Sequence, residues 1–200
     1  MNMPKLRFPE FIGDWKEKNG NLVFEQISNK QHNSDLPILA ITQDFGAIPR
    51  ELIDYKVIVT EKSVETYKVV EKGDFIISLR SFQGGIEYSQ YKGICSPAYI
   101  ILRKKVDVSK SYFKHFFKSE RFVQQLNKNI EGLRDGKMVS YKQFSELFLP
   151  VPSKPEQQKI ADCLSSLDDL INAHVKKCEG LKTHKKGLMQ GLFPSTNEAA

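Results

Sequence analysis

The sequence predicts an α/β chain: a mixed α+β domain over residues 1–150, a long C-terminal coiled-coil-forming α-helix over 151–193 and a short tail, 194–200. Three observations carry this reading. Short runs rich in β-branched and aromatic residues, separated by glycine turns, fill about residues 20–105. Apolar residues take helical spacing over 109–127. A proline-rich start, "VPSKPE" at 151–156, then opens a helical pattern free of proline through 193.

The strand candidates come in order as "LPILAI" (36–41), "YKVIVT" (55–60), "TYKVV" (66–70), "DFIISL" (74–79) and "AYIILR" (98–103). Between them, "EKGD" (71–74) and "FQGG" (82–85) supply the glycines that tight reversals need. "SKSYFKHFFKSERFVQQLN" (109–127) reads as one helix with Ser109 or Ser111 as N-cap. Tyr112, Phe113, Phe116, Val123 and Leu126 form its core face. A glycine-bearing loop over 130–140 leads to a last strand, "ELFLPVP" (146–152).

The long helix starts with its own signals. Ser153 can accept from the amide of Glu156, Glu156 can reach back, and Pro155 sits in the first turn, where a missing N–H costs nothing. From there Ile160, Leu164, Leu167, Ile171, His174, Cys178, Leu181, Lys185, Leu188 and Leu192 step by four and three, a heptad seam. Such a helix runs roughly 55 Å at 1.5 Å per residue, longer than a domain of this size can cover, so much of the seam must meet another helix. His174 and Lys185, polar in the seam, are suited to setting register. His174 and Cys178 also stand four apart on one face, but no third metal ligand is in sight and no metal site is expected.

Composition narrows the function. The 200 residues are 40% hydrophobic and 27% charged, as in an ordinary globular chain. No apolar run is long enough for a signal peptide or a membrane span, so a cytoplasmic protein is expected. Cys95, Cys163 and Cys178 are odd in number and widely spaced with no CxxC pair, which argues against a disulfide framework and against a zinc site. The net charge is +6, and 23 of the 30 Lys and Arg lie in residues 1–150, which favours a polyanionic partner. Phosphate-binding loops, HExxH and GxSxG are absent from the sequence, and Asp74 and Glu87 have only generic spacing, so a nuclease or methyltransferase has no motif behind it.

Two clusters suit a polyanion. "SLRSFQGGIEYSQY" (78–91) sets Arg80, Ser81 and Gln83 beside a Gly-Gly pair, followed by Tyr88 and Tyr91. "GLRDGKMVSYKQ" (132–143) carries Arg134, Lys137, Ser140, Tyr141, Lys142 and Gln143. Arg and Gln can form two-pronged hydrogen bonds to guanine and adenine edges, while Lys, Ser and Tyr commonly hold phosphates. Arg80, Ser81, Gln83, Arg134, Lys137 and Tyr141 are therefore the candidate DNA contacts, the first four for base readout.

"PKLRFPEFIGDW" (4–15), "GDFIISLRSFQGG" (73–85), "CSPAYIIL" (95–102), "YFKHFFKSERF" (112–122), "VSYKQF" (139–144) and above all "LPVPSKPEQQKIADCLSSLDDLI" (149–171) with "LKTHKKGLMQGLF" (181–193) carry a resemblance. Together they resemble the specificity subunit of type I restriction-modification systems over nearly the whole chain. The resemblance implies a target recognition domain over 1–150 and a helix over 151–193 for dimerisation and methyltransferase docking. It implies a non-catalytic protein without cofactor, S-adenosylmethionine and ATP being held by partner subunits. The implied partners are double-stranded DNA, methyltransferase (modification) subunits and, through the complex, a restriction subunit. The family's usual subunit has two recognition domains and two antiparallel helices; this chain has one of each. A half-subunit that homodimerises through Ile160, Leu164, Leu167, Ile171, His174, Cys178, Leu181, Leu188 and Leu192, reading an inverted interrupted repeat, is expected. Half of a longer protein, a stand-alone DNA-modifying enzyme, a coiled-coil interaction module and an RNA-binding or antirestriction role are the alternatives.

Overall fold

The structure is a computed structural model that describes residues 3–33, 35–53, 64–128 and 139–193. It divides into two compact units, Met1–Gln158 and Lys159–Ala200. No helix among the described residues is long and apolar enough to cross a membrane.

The first unit is built on an antiparallel sheet of order β2-β9-β6-β7, formed by Phe24–Ile27, Ile100–Lys104, Phe75–Ile77 and Glu87–Tyr88. Three strand pairs surround it: β1 (Lys16–Asn19) with β10 (Phe148–Val151), β3 (Leu39–Thr42) with β4 (Gly46–Pro49), and β5 (Lys68–Val70) with β8 (Gly93–Cys95). Isolated bridges join the β3–β4 pair to β8 (Ile38 to Ile94) and to the end of β7 (Ala47 to Ser89). "TYKVV", "DFIISL" and "ELFLPVP" each contain one of these strands, and "LPILAI" and "AYIILR" each cover all but the last residue of one; "YKVIVT" lies outside the described residues.

Register sorts the two faces of the sheet. Ile76 pairs with Ile101, and both enter an aliphatic cluster with Leu39, Ala47, Val70 and Cys95. The next pair, Phe75 with Leu102, points the other way, because strand side chains alternate. On that side Phe24, Phe75, Phe113, Phe117, Phe122 and Phe144 are all fully buried. Their rings meet edge-on or tilted, with centroids 5.0 Å apart for Phe24 and Phe113 and 4.8 Å for Phe117 and Phe122. Burying each such side chain contributes about 2–3 kcal/mol, so this cluster is a large source of the domain's stability.

The helical stretch after Ser109 is two helices rather than one: α3 (Lys110–Phe116) and α4 (Glu120–Lys128), following the one-turn α1 (Gly20–Val23) and α2 (Ser81–Gly84). Ser109 caps α3 by accepting from Tyr112 N. Ser119 then accepts from Phe122 N at 3.3 Å, which restarts the helix and rephases it. The break brings Phe117 and Phe122 into the core together, a pairing that a continuous 3.6-residue period does not give. Helix α5 (Tyr141–Glu146), which the sequence did not announce, lies between the expected loop and the last strand, and its capping box joins Ser140 and Gln143.

The last helix, α6 (Lys154–Leu192), has 39 residues. Ser153 Oγ accepts from Glu156 N at 3.4 Å, as its sequence implies. Glu156 does not reach back. Its carboxylate is spent on Arg7 (Nε 2.7 Å, Nη2 2.9 Å) and Trp15 (Nε1 3.0 Å), deep in the first unit. Gln157 accepts from Ser109 N at 2.8 Å and donates to Pro152 O at 2.9 Å. The start of α6 is thus locked to the N-terminal segment and to the cap of α3.

Candidate nucleic-acid interface

The surface feature best suited to reading a ligand is the turn between β6 and β7. Ser78 N donates to Ser81 Oγ at 2.9 Å, and Gln83 N and Gly84 N donate to Arg80 O. The turn closes on Gly85, whose φ of +81° belongs to the left-handed region. An added Cβ there would lie 2.0 Å from Phe117 O, so the turn is pressed against the end of α3. Arg80 and Gln83 are exposed at its crest, and Leu79 is 51% exposed beside them.

A second loop stands next to it. The β3–β4 hairpin tip offers Gln43, whose Nε2 donates to Arg80 O at 3.4 Å, and Phe45, which is 70% exposed. Lys118 holds both loops at once. Its ammonium reaches Glu87 Oε1 and Oε2 at 2.6 Å, Gly84 O at 3.0 Å and Gln43 O at 3.2 Å. Glu87 is almost wholly buried. Burial pushes its carboxyl up to about 7, and the Lys118 ammonium pulls the other way. Arg103 and Asp74 form a parallel clamp at the base of the same sheet, two-pronged at 2.8 and 2.7 Å.

The predicted residues separate by this geometry. Arg80 and Gln83 stand together and exposed. Ser81 is 1% exposed with its hydroxyl engaged by Ser78, so it shapes the turn from inside. Tyr141 is half-buried, and its hydroxyl donates to Phe24 O at 3.2 Å. Ser140 and Gln143 are used in the cap of α5, Lys142 is exposed, and Tyr88 packs its ring 5.3 Å from Phe75. Arg134 and Lys137 lie outside the described residues. Gln43, Phe45 and Lys118 escaped the sequence reading because they come from distant segments that only the sheet brings to one edge. The exposed Gly-flanked hairpin at 42–46 was the one local signal for them.

In the second unit the predicted seam is largely open to solvent. Leu164, Leu167, Ile171, Leu181, Leu188 and Leu192 are 38%, 51%, 59%, 60%, 46% and 74% exposed, and His174 and Cys178 are exposed with them.

Comparison with known proteins gives this arrangement its relatives. The chain is 28% identical to the MjaIX type I restriction enzyme specificity subunit of Methanocaldococcus jannaschii, over 72% of its own length and 36% of the relative's. It is 29% identical to the MjaVIII specificity subunit of the same organism, over 62% of its own length and 31% of the relative's. The chain thus spans between about a third and a little under half of the length of the curated relatives it matches. Its fold is similar to the HsdS subunit of Thermoanaerobacter tengcongensis, with TM-score 0.52 and 19% identity over 87% of this chain and 41% of that one. A similar likeness, TM-score 0.53 and 18% identity, holds for the type I S subunit of M. genitalium over 92% of this chain and 46% of that one. Residues 11–182, taking in both the clamped sheet and most of the long helix, match the type I restriction modification DNA specificity domain, and the chain belongs to that family.

Proposed function

We propose that this chain is a non-catalytic DNA-reading subunit of a type I restriction-modification complex. Two copies pair antiparallel through α6, each reads one half of an inverted, interrupted repeat, and methyltransferase subunits dock on the helices. Those partners bring S-adenosylmethionine, and the restriction subunit brings ATP. A cytoplasmic location goes with that role.

The observation that carries the reading is the turn at 79–85. Its crest offers Arg80 and Gln83, side chains able to grip guanine and adenine edges, while its base is pinned by Lys118, Glu87 and Gln43. A rigid base under exposed polar tips is what base readout needs, since a contact ordered beforehand costs less entropy on binding. The open seam supports pairing, because a row of aliphatic residues at one helix face is costly in water.

The test is an electrophoretic binding series with the methyltransferase subunits present. Gln83→Ala is expected to relax base preference at one position by about 1–3 kcal/mol, and Lys137→Ala to weaken all sequences alike. Unchanged preference in Gln83→Ala together with Arg80→Ala would remove this turn from the interface.

A further inference from the structure

Among the ten seam positions, one antiparallel register pairs them all. Ile160 comes opposite Leu192, Leu164 opposite Leu188, Leu167 opposite Lys185, Ile171 opposite Leu181 and His174 opposite Cys178, each pair summing to 352 in residue number. Sliding the partner by one heptad either way strands two aliphatics, Ile160 with Leu164 or Leu188 with Leu192. One flank agrees with the full register: Ala161 comes opposite Met189, Asp168 opposite Lys182 and Val175 opposite its own copy. On the other flank Lys177 meets its copy, a single like-charged pair.

The centre of that register holds no large aliphatic side chain. His174 and Cys178 stand one helical turn apart on the same face, both exposed in the single chain. Two-fold symmetry brings the same two residues of a second copy against them, which supplies the ligands a single chain lacks. The result is two imidazoles and two thiols within one turn of the dyad, the donor set of a closed tetrahedral zinc site. Layers of Ile171 and Leu181 on both sides would shut it from water.

We infer that the antiparallel pair binds one Zn2+ at its dyad through His174 and Cys178 of both copies, and that the metal sets the register of the helices. This rests on the proposed pairing. On binding, each Cys178 thiol gives its proton to solvent and coordinates as thiolate, and each His174 coordinates through a neutral ring nitrogen, so the four-ligand site carries no net charge. A metal joining the copies would favour the one register that centres the His and Cys layers.

The experiment uses the full chain. Light scattering with and without Zn2+ gives the mass, and Co2+ serves as a coloured substitute whose spectrum reports tetrahedral thiolate ligation. Expected are one metal per two chains, a tetrahedral Co2+ spectrum, and a dimer dissociation constant lowered about tenfold or more by Zn2+. Cys178→Ser and His174→Ala should each abolish the spectrum and the zinc effect, while Cys163→Ser leaves both unchanged. A dimer that takes up no metal, or a Co2+ spectrum that survives Cys178→Ser, overturns the site and leaves the pairing standing. A chain monomeric at all concentrations, with and without Zn2+, overturns the pairing and the site together.

Discussion

Glu156 shows how one buried carboxylate ties a chain together. Its side chain is 2% exposed, and Arg7, 149 positions earlier, meets it two-pronged. The Arg7 guanidinium and the Trp15 N–H hold the carboxyl below its ordinary value against the opposing effect of burial. A depressed carboxyl contributes stability that is present above its unfolded value of 4.5 and is lost as pH falls through the folded one. Arg7→Ala leaves a buried charge unpaired and should cost about 3 kcal/mol in urea unfolding at neutral pH, with the gap from wild type narrowing on acidification. Glu87 has the opposite sign. Raised to about 7, it favours folding most below 4.5 and loses that contribution as pH rises toward 7. Glu87→Gln should therefore flatten the decline of Tm between pH 4.5 and 7, as thermal melts across that window would report.

At the scale of elements, the capping sequences are the most legible feature. Ser109 and Ser153 accept from the amides their spacing implies, because a cap is a local matter of three residues. The break between α3 and α4 was not legible. Ser119 can cap a helix or sit quietly within one, and the choice follows from the core space that Phe117 and Phe122 fill. The turn at 79–85 is half legible: its glycines announce a reversal, but its pressure against Phe117 O does not appear in the sequence. Gly85→Ala combines a left-handed φ with that contact, and should destabilise the domain by about 2 kcal/mol or more and weaken DNA binding with it. Denaturant unfolding and the binding series would measure the two effects separately.

Across the whole molecule, the two units draw on different sources of stability. Residues up to Gln158 have an aromatic core and buried ion pairs of their own. Beyond Lys159 the apolar residues form a seam that is mostly exposed, the face that the proposed pairing would cover. Ile171→Glu places a charge in the layer next to the proposed dyad and is expected to give a monomer in light scattering while leaving the near-ultraviolet signature of the aromatic core intact. A dimer that survives this substitution would place the pairing surface elsewhere.

The sequence by itself determined the strands rich in β-branched residues, the starts of α3 and α6, the length and seam of α6, and the family, because each is written in local period, capping and turn chemistry. It also put Arg80 and Gln83 on one exposed turn. Only the tertiary structure decided that Ser81 and Tyr141 turn inward, that Glu156 serves Arg7 rather than its own cap, and that Gln43 and Lys118 brace the turn beneath Arg80. Those are contacts between residues far apart in the chain. Their partners are chosen by burial and by the need to satisfy each buried polar group, which no local pattern records.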